Sequence, residues 1–587
     1  MKKYWKYVKP YLHAFIIGPI LMITEVIGEV LLPSFMADII NIGAANQDVS
    51  YIISRGIIMV LTAVVMMAGG VGGAWFSAKA SISFAADLRK DVFQKVQQFS
   101  FSNIDSFSTG SLVTRLTNDI TQVQNVLMMM LRLMLRAPGM LIGAVIMAFL
   151  MNPRLATILL VVIPLLALAI GCVIRVGFPR FDRMQKKIDR LNSTVQEALT
   201  NVRVIKSFVR GDYEEKRFQE ANQDLKDASL SAFKAVIFMM PIMMFAMNVT
   251  TLAVVWFGGK QILVGTMQVG DLTAFTTYIV QVLMSLMMLA MVLLQSSRAV
   301  ASLKRIYEVL NTEIDLTDED AERKDAVVSQ GKIEFQNVSF RYYKNNHEKV
   351  LDHISFTVEP GQTLGIIGST GSGKTTLVQM IPRLYDVDEG RVLVDDIDVR
   401  DYSLKHLRNG VGMVLQKNVL FSGTILENLR WGDEDASDEQ VFAAAKAAQA
   451  DFVDGFTEGY ETELGQGGVN VSGGQKQRLC IARALLKKPK ILILDDSTSA
   501  VDTATESRIR ESFSTTLKET TKLIIAQRIT SVMEADQILV LEEGKIAGKG
   551  THAQLMQSCE TYREIYHSQM EVAEEAASAQ EAGEVQA

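Results

Sequence analysis

The chain has 587 residues, 49% of them hydrophobic, and a formal net charge of −6 at pH 7. This length allows several domains, and without a basic excess the chain has no electrostatic footprint for a nucleic-acid partner. The three cysteines, Cys172, Cys480 and Cys559, are far apart and lack ligand-type spacing, so we expect neither a disulfide framework nor a zinc site.

Six apolar segments in the first half are long enough to cross a lipid bilayer, which needs about 20 apolar residues per helix. They lie at 14–37, 57–78, 126–150, 155–174, 235–259 and 272–297. The first is too long for a cleavable signal peptide. A buried soluble helix seldom stays apolar over such lengths. We therefore expect an all-α transmembrane domain over residues 1–310, in contact with membrane lipid.

Basic residues are concentrated before the first span and in the connections that follow spans two and four. Because cytoplasmic loops carry the excess of Lys and Arg, both termini are predicted to be cytoplasmic. The connections at 80–120 and 175–234 are poor in Pro and Gly. We expect the spans to continue there as cytoplasmic helices, with turns at Ser102–Ser106 and Arg210–Asp212.

Four charged residues lie within the predicted spans. Glu25 and Glu29 are one helical turn apart in the first span, and Arg132 and Arg136 are one turn apart in the third. Charges in a membrane are costly and usually face a cavity or each other. The sequence leaves two interpretations open: a polar patch that contacts substrate, or an ion pair without a substrate role.

The second half has the composition of a soluble protein. A polar, charged linker at 311–330 precedes short β-branched strands alternating with helical stretches, which predict an α/β domain over 331–567. The acidic tail at 568–587 is Ala- and Glu-rich from residue 571 and has no apolar stripe, so we expect it to be disordered or a frayed helix.

One motif in this domain predicts nucleotide binding. The sequence GSTGSGKTT matches the phosphate-binding loop GxxxxGK[ST], with a strand before it and a helix after it, as the motif requires. Lys374 is expected to reach the β- and γ-phosphates of ATP and Thr375 to hold Mg²⁺, with Asp495 after a buried strand as the second Mg²⁺ ligand. The loop residues are Gly368, Ser369, Thr370, Gly371, Ser372, Gly373, Lys374, Thr375 and Thr376.

Further segments carry a family resemblance. Val471–Gln475 resembles the signature sequence of ATP-binding cassette (ABC) transporters, Gln416 the Q-loop, Ser499–Asp502 the D-loop, and Tyr342 the aromatic residue that stacks on adenine. With six spans before them, these motifs make the chain similar to an exporter-type half-transporter. It most resembles one subunit of the bacterial heterodimeric multidrug exporters.

The resemblance implies that two such chains pair in the cell membrane of a bacterium and export small amphipathic or cationic molecules. Each ATP would lie between the phosphate loop of one chain and the signature of the other. The turns near Asn103–Phe107 and Gly211–Glu214 would be coupling helices, and Gln416 would join the Mg²⁺ ligands and the catalytic residues. Residues that the resemblance assigns to the partner's nucleotide are Ser472, Gly473, Gly474, Gln475 and Asp502.

The sequence departs from the family pattern at three positions. Asp496 replaces the usual catalytic glutamate, Gln527 replaces the usual histidine at the γ-phosphate, and Gln466 stands where a glutamate is frequent. The first two changes predict that ATP is hydrolysed slowly at this chain's own site. The intact signature is expected to complete the ATP site of a partner chain that has the glutamate and the histidine. Two alternatives remain: a homodimeric lipid or lipopeptide flippase, and a regulatory membrane protein that senses nucleotide.

Overall fold

The structure is a computed structural model that describes residues 4–342, 348–496 and 502–570. The D-loop residues Ser499–Val501 and the tail from 571 onward lie outside these ranges. The chain forms two compact units. One consists of Met1–Gln97 with Thr109–Thr312, and the other of Gln98–Ser108 with Glu313–Ala587. The short segment 98–108 therefore groups with the second unit, although it falls between membrane spans in the sequence.

The helices are α1 Trp5–Val8, α2 Leu12–Asp38, α3 Val49–Gln97, α4 Phe101–Ser106, α5 Thr109–Thr114, α6 Ile120–Met151, α7 Pro153–Thr200, α8 Val202–Ser207, α9 Gly211–Ile237, α10 Met239–Leu263, α11 Val269–Asn311, α12 Lys374–Gln379, α13 Leu404–Gly410, α14 Ile425–Arg430, α15 Asp438–Ala447, α16 Gly473–Leu486, α17 Thr503–Thr516 and α18 His552–Ser558. A further helix at residues 560–570 is called the C-terminal helix below.

Within the described residues, six helical stretches are long and apolar enough to cross a membrane. They are Trp5–Ala44, Val49–Gln97, Thr109–Met151, Pro153–Thr200, Met240–Leu263 and Val269–Val292. The prediction of six spans is therefore confirmed. Helix α3 has 49 residues. At about 1.5 Å per residue it is roughly 70 Å long, more than twice the hydrocarbon thickness of a bilayer. The spans do continue as helices well beyond a membrane.

The two predicted turns differ from expectation. The first is itself a helix, α4, capped by Ser100, whose hydroxyl accepts from the backbone N–H of Asn103 at 3.0 Å. At the second, α9 begins at Gly211, and acidic residues in its first turn complement the helix dipole. The short helix in this connection is α8, which lies before the Gly211–Glu214 segment that was expected to be a coupling helix.

An ion pair joins two membrane helices, α2 and α6. The Arg136 guanidinium lies 3.2 Å from a carboxylate oxygen of Glu25 and 3.1 Å from one of Glu29. The side-chain amide of Gln281 on α11 donates to the backbone carbonyl of Glu29 at 2.9 Å. These contacts correspond to the ion-pair interpretation of the intramembrane charges, with one arginine shared by two glutamates.

The second unit contains the strands β1 Ile333–Phe340, β2 Leu351–Val358, β3 Thr363–Gly368, β4 Glu389–Val394, β5 Ile397–Asp398, β6 Val411–Val414, β7 Gly423–Thr424, β8 Glu463–Leu464, β9 Ile491–Asp495, β10 Thr521–Ile525, β11 Gln537–Glu542 and β12 Lys545–Gly550. An antiparallel sheet has the order β2-β1-β4-β5, and a six-stranded sheet has the order β12-β11-β3-β10-β9-β6. An apolar core lies between them, with Phe335, Phe356 and Ile493 among its residues. These elements confirm the α/β nucleotide-binding fold.

The six-stranded sheet positions the candidate site. Strands β11, β3, β10, β9 and β6 run parallel, so their carboxyl ends meet at one edge. In open α/β sheets, ligands bind at that edge. The phosphate loop follows β3, Gln527 follows β10, Asp495 ends β9, and Gln416 follows β6. Residues far apart in sequence therefore converge at this edge.

The expected tail boundary at 568 needs a correction. The C-terminal helix continues through Met570, so residues 568–570 are helical rather than part of a disordered tail. Tyr562 anchors this helix, because its side chain is fully buried in a cluster with Leu555 and Val540.

The intramembrane ion pair gives a testable stability prediction. Replacing Arg136→Met should lower the thermal unfolding midpoint of the detergent-purified protein, because two glutamates lose their counter-charge in a low-dielectric setting. We expect a loss on the order of 2 kcal/mol. The triple variant Glu25→Gln, Glu29→Gln, Arg136→Met should recover most of it.

Arg132→Met is the matched control, because Arg132 lies one turn away on the same helix and is exposed. If Arg136→Met unfolds at the same temperature as Arg132→Met, the ion pair does not stabilise the membrane helices.

Candidate nucleotide site

The phosphate loop has a backbone that only glycine permits at two positions. Gly373 has φ of +94°, and a Cβ there would lie 2.8 Å from the carbonyl oxygen of Val350. A Cβ on Gly368 would lie 2.1 Å from the carbonyl oxygen of Leu541. The loop therefore wraps tightly between β3 and α12, a geometry in which successive backbone N–H groups can surround a phosphate.

Two side chains of the loop are poised for an anion. The Lys374 ammonium donates to the carbonyl oxygens of Gly368 at 2.9 Å and Ser369 at 2.7 Å, and burial lowers its pKa. The hydroxyl of Ser372 is buried and has no hydrogen-bond partner among the described residues. A buried hydroxyl without a partner is costly, but Ser372 does not line the cavity described below; the Lys374 ammonium does, and it favours a ligand with anionic oxygens.

Oxygen ligands for a divalent cation lie beside the loop. The Thr375 hydroxyl donates to the Asp495 carboxylate at 3.0 Å. Asp495 is almost fully buried, and this burial, together with the adjacent Asp496 carboxylate, raises its pKa. A hydroxyl and a buried carboxylate, with a second carboxylate beside them, form the oxygen-rich donor set that Mg²⁺ prefers.

Asp496 accepts hydrogen bonds from two glutamines. The side-chain amide of Gln527 donates to its carboxylate at 2.6 Å, and that of Gln416 approaches the same oxygen at 3.5 Å. Asp496 has φ of +48°, a left-handed conformation that aspartate tolerates better than most residues. Burial raises the pKa of the Asp496 carboxyl, and both amides oppose this shift.

Tyr342 lies at the other end of the site. Its ring packs edge-on against Phe340 and Tyr385, with centroids 5.1 Å and 5.2 Å away. Its hydroxyl hydrogen-bonds with the Thr376 hydroxyl at 2.9 Å. The side chain keeps 38% of its surface exposed, so the ring has surface left for a stacking partner.

One cavity of about 780 Å³ is lined by Tyr342, Lys374, Thr375, Gln416, Asp495, Asp496 and Gln527. Its size is within the usual range for small-molecule sites. The phosphate loop, Tyr342, Gln416, the two aspartates and Gln527 meet there, as their strand ends require. The C-terminal helix, to which no motif in the sequence points, forms a further wall; its lining residues are Thr561, Glu564, Ile565 and Gln569. Their four-residue spacing could have indicated a shared face.

The signature residues lie elsewhere and do not line this cavity. Ser472 caps α16: its hydroxyl accepts from the backbone N–H of Gln475 at 3.3 Å, and the Gln475 side chain accepts from the backbone N–H of Ser472 at 2.8 Å. Asp502 caps α17 by accepting from the backbone N–H of Thr505, which lowers the pKa of Asp502. A signature outside its own chain's cavity is the arrangement that a shared site requires.

The base-stacking role of Tyr342 can be tested by nucleotide titration. Tyr342→Ala should weaken Mg-ATP binding about 3- to 10-fold, because an aromatic contact of this kind contributes roughly 0.5–1.5 kcal/mol. Tyr342→Phe keeps the ring and should bind within about twofold of the wild-type protein. Equal losses in both variants would assign the effect to the hydroxyl and its bond to Thr376 rather than to stacking.

Comparisons with known proteins agree with this geometry. Residues 15–286 match the family described as ABC transporter transmembrane region, and residues 351–499 match the family described as ABC transporter. The chain resembles the solved structure of a bacterial Atm1-family ABC exporter with ATP bound. The TM-score is 0.78 and the identity 26%, and the match covers 95% of this chain and 98% of the other.

Curated relatives extend over nearly the full length. The uncharacterized ABC transporter ATP-binding protein YfiB of Bacillus subtilis is 44% identical, covering 97% of this chain and 98% of that protein. Rv1273c of Mycobacterium tuberculosis, also uncharacterized, is 37% identical over 96% and 97%. The ATP-dependent lipid A-core flippase of Pseudomonas aeruginosa is 32% identical over 94% and 93%. The chain therefore belongs to the ABC exporter half-transporters, membrane proteins that use ATP for transport.

Proposed function

We propose that this chain is one subunit of a heterodimeric exporter, and that its own site binds ATP but hydrolyses it slowly. The observation that carries the proposal is the hydrogen bond between the Gln527 amide and the Asp496 carboxylate. Two of the three residues that depart from the family pattern, Asp496 and Gln527, lie at opposite ends of this contact. The binding elements around them are complete.

In this proposal the chain's residues divide into binding and hydrolysis groups. Tyr342 stacks on adenine, the phosphate loop and Lys374 hold the phosphates, and Thr375 with Asp495 holds Mg²⁺, with Gln416 beside them. The metal, when bound, offsets negative charge on the β- and γ-phosphates. Asp496 and Gln527 would act on the attacking water and the γ-phosphate.

Hydrolysis is slow in this proposal because the Asp496 carboxylate lies too far from the attacking water. Aspartate is one methylene shorter than glutamate, so its carboxylate stands back by roughly 1.5 Å. A misplacement near 1 Å can cost on the order of 10²-fold in rate. Burial raises the pKa of Asp496, which strengthens it as a proton acceptor, so basicity is not the limiting property. The amide of Gln527 donates a hydrogen bond but cannot become a cation as histidine can.

The signature supports a role in a partner's site. Ser472 caps a helix of 14 residues, and its first backbone N–H groups, at Gly473 and Gly474, lie where helices favour anions. The partner would contribute the phosphate loop to this signature, together with an intact catalytic glutamate and histidine. We expect the partner's own signature to be altered.

A coupling element lies in the same compact unit as the site. The Tyr385 hydroxyl donates to Asp105 on α4 at 2.8 Å, and the Tyr385 ring lies 6.0 Å from that of Phe101. Because Tyr385 also packs on Tyr342, a chain of contacts joins the adenine end of the cavity to α4. In the proposal, this contact conveys nucleotide state to helices α3 and α5, which flank α4 in sequence.

The cargo we propose is an amphipathic or cationic drug-like molecule moved out across the bacterial cell membrane. A second candidate, export of a lipid, is favoured by one observation, the 32% identity to a lipid A-core flippase. A homodimeric flippase requires the chain alone to hydrolyse ATP at full rate. The heterodimer requires turnover only in the complex with its partner.

Restoring the family residues tests the slow-site proposal. In a complex whose partner carries Gln in place of its catalytic Glu, the remaining ATPase reports on this chain's site. The double substitution Asp496→Glu, Gln527→His should raise that ATPase by at least about 10-fold, since it restores the reach of the carboxylate and a group that can become cationic.

Asp496→Asn, Gln527→Ala in the same complex is the matched control and should give no increase. If the restored variant turns over ATP no faster than the unmodified complex, the two residues are not the limiting defect in this site.

A further inference from the structure

The C-terminal helix forms one wall of the nucleotide cavity and is firmly anchored. Tyr562 is fully buried, and its hydroxyl lies 2.8 Å from the Nδ1 atom of His552 on α18. One turn of the helix is tied to β11, because the Thr561 hydroxyl donates to the Glu542 carboxylate at 3.0 Å. The helix therefore has a defined position beside the cavity.

Gln569 uses both halves of its amide on one loop. Its NH₂ group donates to the backbone carbonyl of Gln527 at 2.8 Å, and its carbonyl accepts from the backbone N–H of Ile529 at 2.8 Å. An amide carries a donor and an acceptor on separate atoms, so it can pair with a backbone acceptor and a backbone donor at once. Ile529 is fully buried, so the loop is held by packing on one side and by Gln569 on the other.

The loop that Gln569 contacts, residues 527–529, carries Gln527. The Gln527 side chain donates to the Asp496 carboxylate in the cavity at 2.6 Å. A shift of the Gln527 backbone would move this side chain by a similar distance. Gln569 touches Gln527 through its backbone only, so any effect on the nucleotide passes through the loop. It would act as a positioning residue and not as a catalytic one.

We infer that Gln569 sets the position of the 527–529 loop and thereby controls how strongly the site discriminates ATP from ADP. The inference rests on the proposed function, in which Gln527 contacts the γ-phosphate that ADP lacks. It adds that the C-terminal helix, outside the phosphate loop and the sheet edge, is part of the γ-phosphate sensor.

A double-mutant cycle on the purified full-length complex tests this inference. Dissociation constants for Mg-ATP and Mg-ADP at this chain's site are measured in the wild type, Gln569→Ala, Gln527→Ala and the double variant. A substitution of the partner's phosphate-loop lysine removes nucleotide binding at the partner's site. We expect each single variant to weaken the binding of Mg-ATP about 3- to 10-fold, which is the contribution of one or two hydrogen bonds. The affinity for Mg-ADP should stay within about twofold of the wild-type value. The double variant should bind ATP no more weakly than Gln527→Ala alone.

Ser568→Ala is the matched control, because Ser568 is the exposed neighbour of Gln569 on the same helix. It should change neither constant. A thermal unfolding midpoint measured for every variant identifies a loss of folding, which would weaken the binding of both nucleotides together.

Four outcomes overturn the inference. If Gln569→Ala weakens the binding of ATP and of ADP equally, the residue has a structural role only. Additive losses in the double variant would mean that it acts independently of Gln527. If Gln527→Ala lowers ATP preference and Gln569→Ala does not, the inference fails while the proposed site stands. If Gln527→Ala leaves the preference unchanged, the γ-phosphate assignment of the proposed function fails as well.

Discussion

The contact between Gln527 and Asp496 depends on the register of two neighbouring strands. In β10 and β9, Ile525 pairs with Asp495, so the residues that follow each strand emerge side by side at the carboxyl edge of the sheet. Any side chain at 527 must therefore lie next to any side chain at 496. A histidine and a glutamate at these positions would form a hydrolytic pair, whereas here a glutamine and an aspartate occupy the same geometry. In the proposal, the fold keeps the site and these two side chains set how fast it hydrolyses ATP.

In the proposal, binding and hydrolysis are separable because they rest on different side chains, although Asp495 and Asp496 are consecutive at the end of β9. The phosphate loop follows β3, and the Mg²⁺ carboxylate is the last residue of β9. These features hold a nucleotide without requiring Asp496 or Gln527 to reach the γ-phosphate well. The proposal of an asymmetric pair follows from this separation, since a bound and unhydrolysed nucleotide can still hold two cassettes together while the other site turns over.

Local motifs made much of the site predictable from the sequence. The phosphate loop, Asp495, Gln416 and Tyr342 each carry their own signal, a short pattern next to a strand, and the structure brings them into one cavity. Gln569 carries no such signal. Its importance comes from two hydrogen bonds to a loop about 40 residues earlier, and only the folded chain places them together. That residues 568–570 belong to the C-terminal helix was missed for the same reason, because burial of Tyr562 holds a segment whose composition is polar.

The membrane half shows the same division between local and long-range information. Apolar length predicts the spans, because a bilayer sets the number of residues that a helix needs. Periodicity also placed Glu25 with Glu29 on one face and Arg132 with Arg136 on another. Which arginine meets the glutamates was not predictable, since that depends on how α2 and α6 pack. The structure selects Arg136.

In the proposed asymmetric pair, ATP bound by this chain stays intact while the partner's ATP is hydrolysed. The most direct measurement incubates the co-expressed complex with photoreactive ATP labelled at either the α- or the γ-phosphate, and crosslinks it after several turnovers. The account predicts that this chain retains both labels in equal amounts, while the partner retains only the α label. Loss of the γ label from this chain at the partner's rate would contradict it.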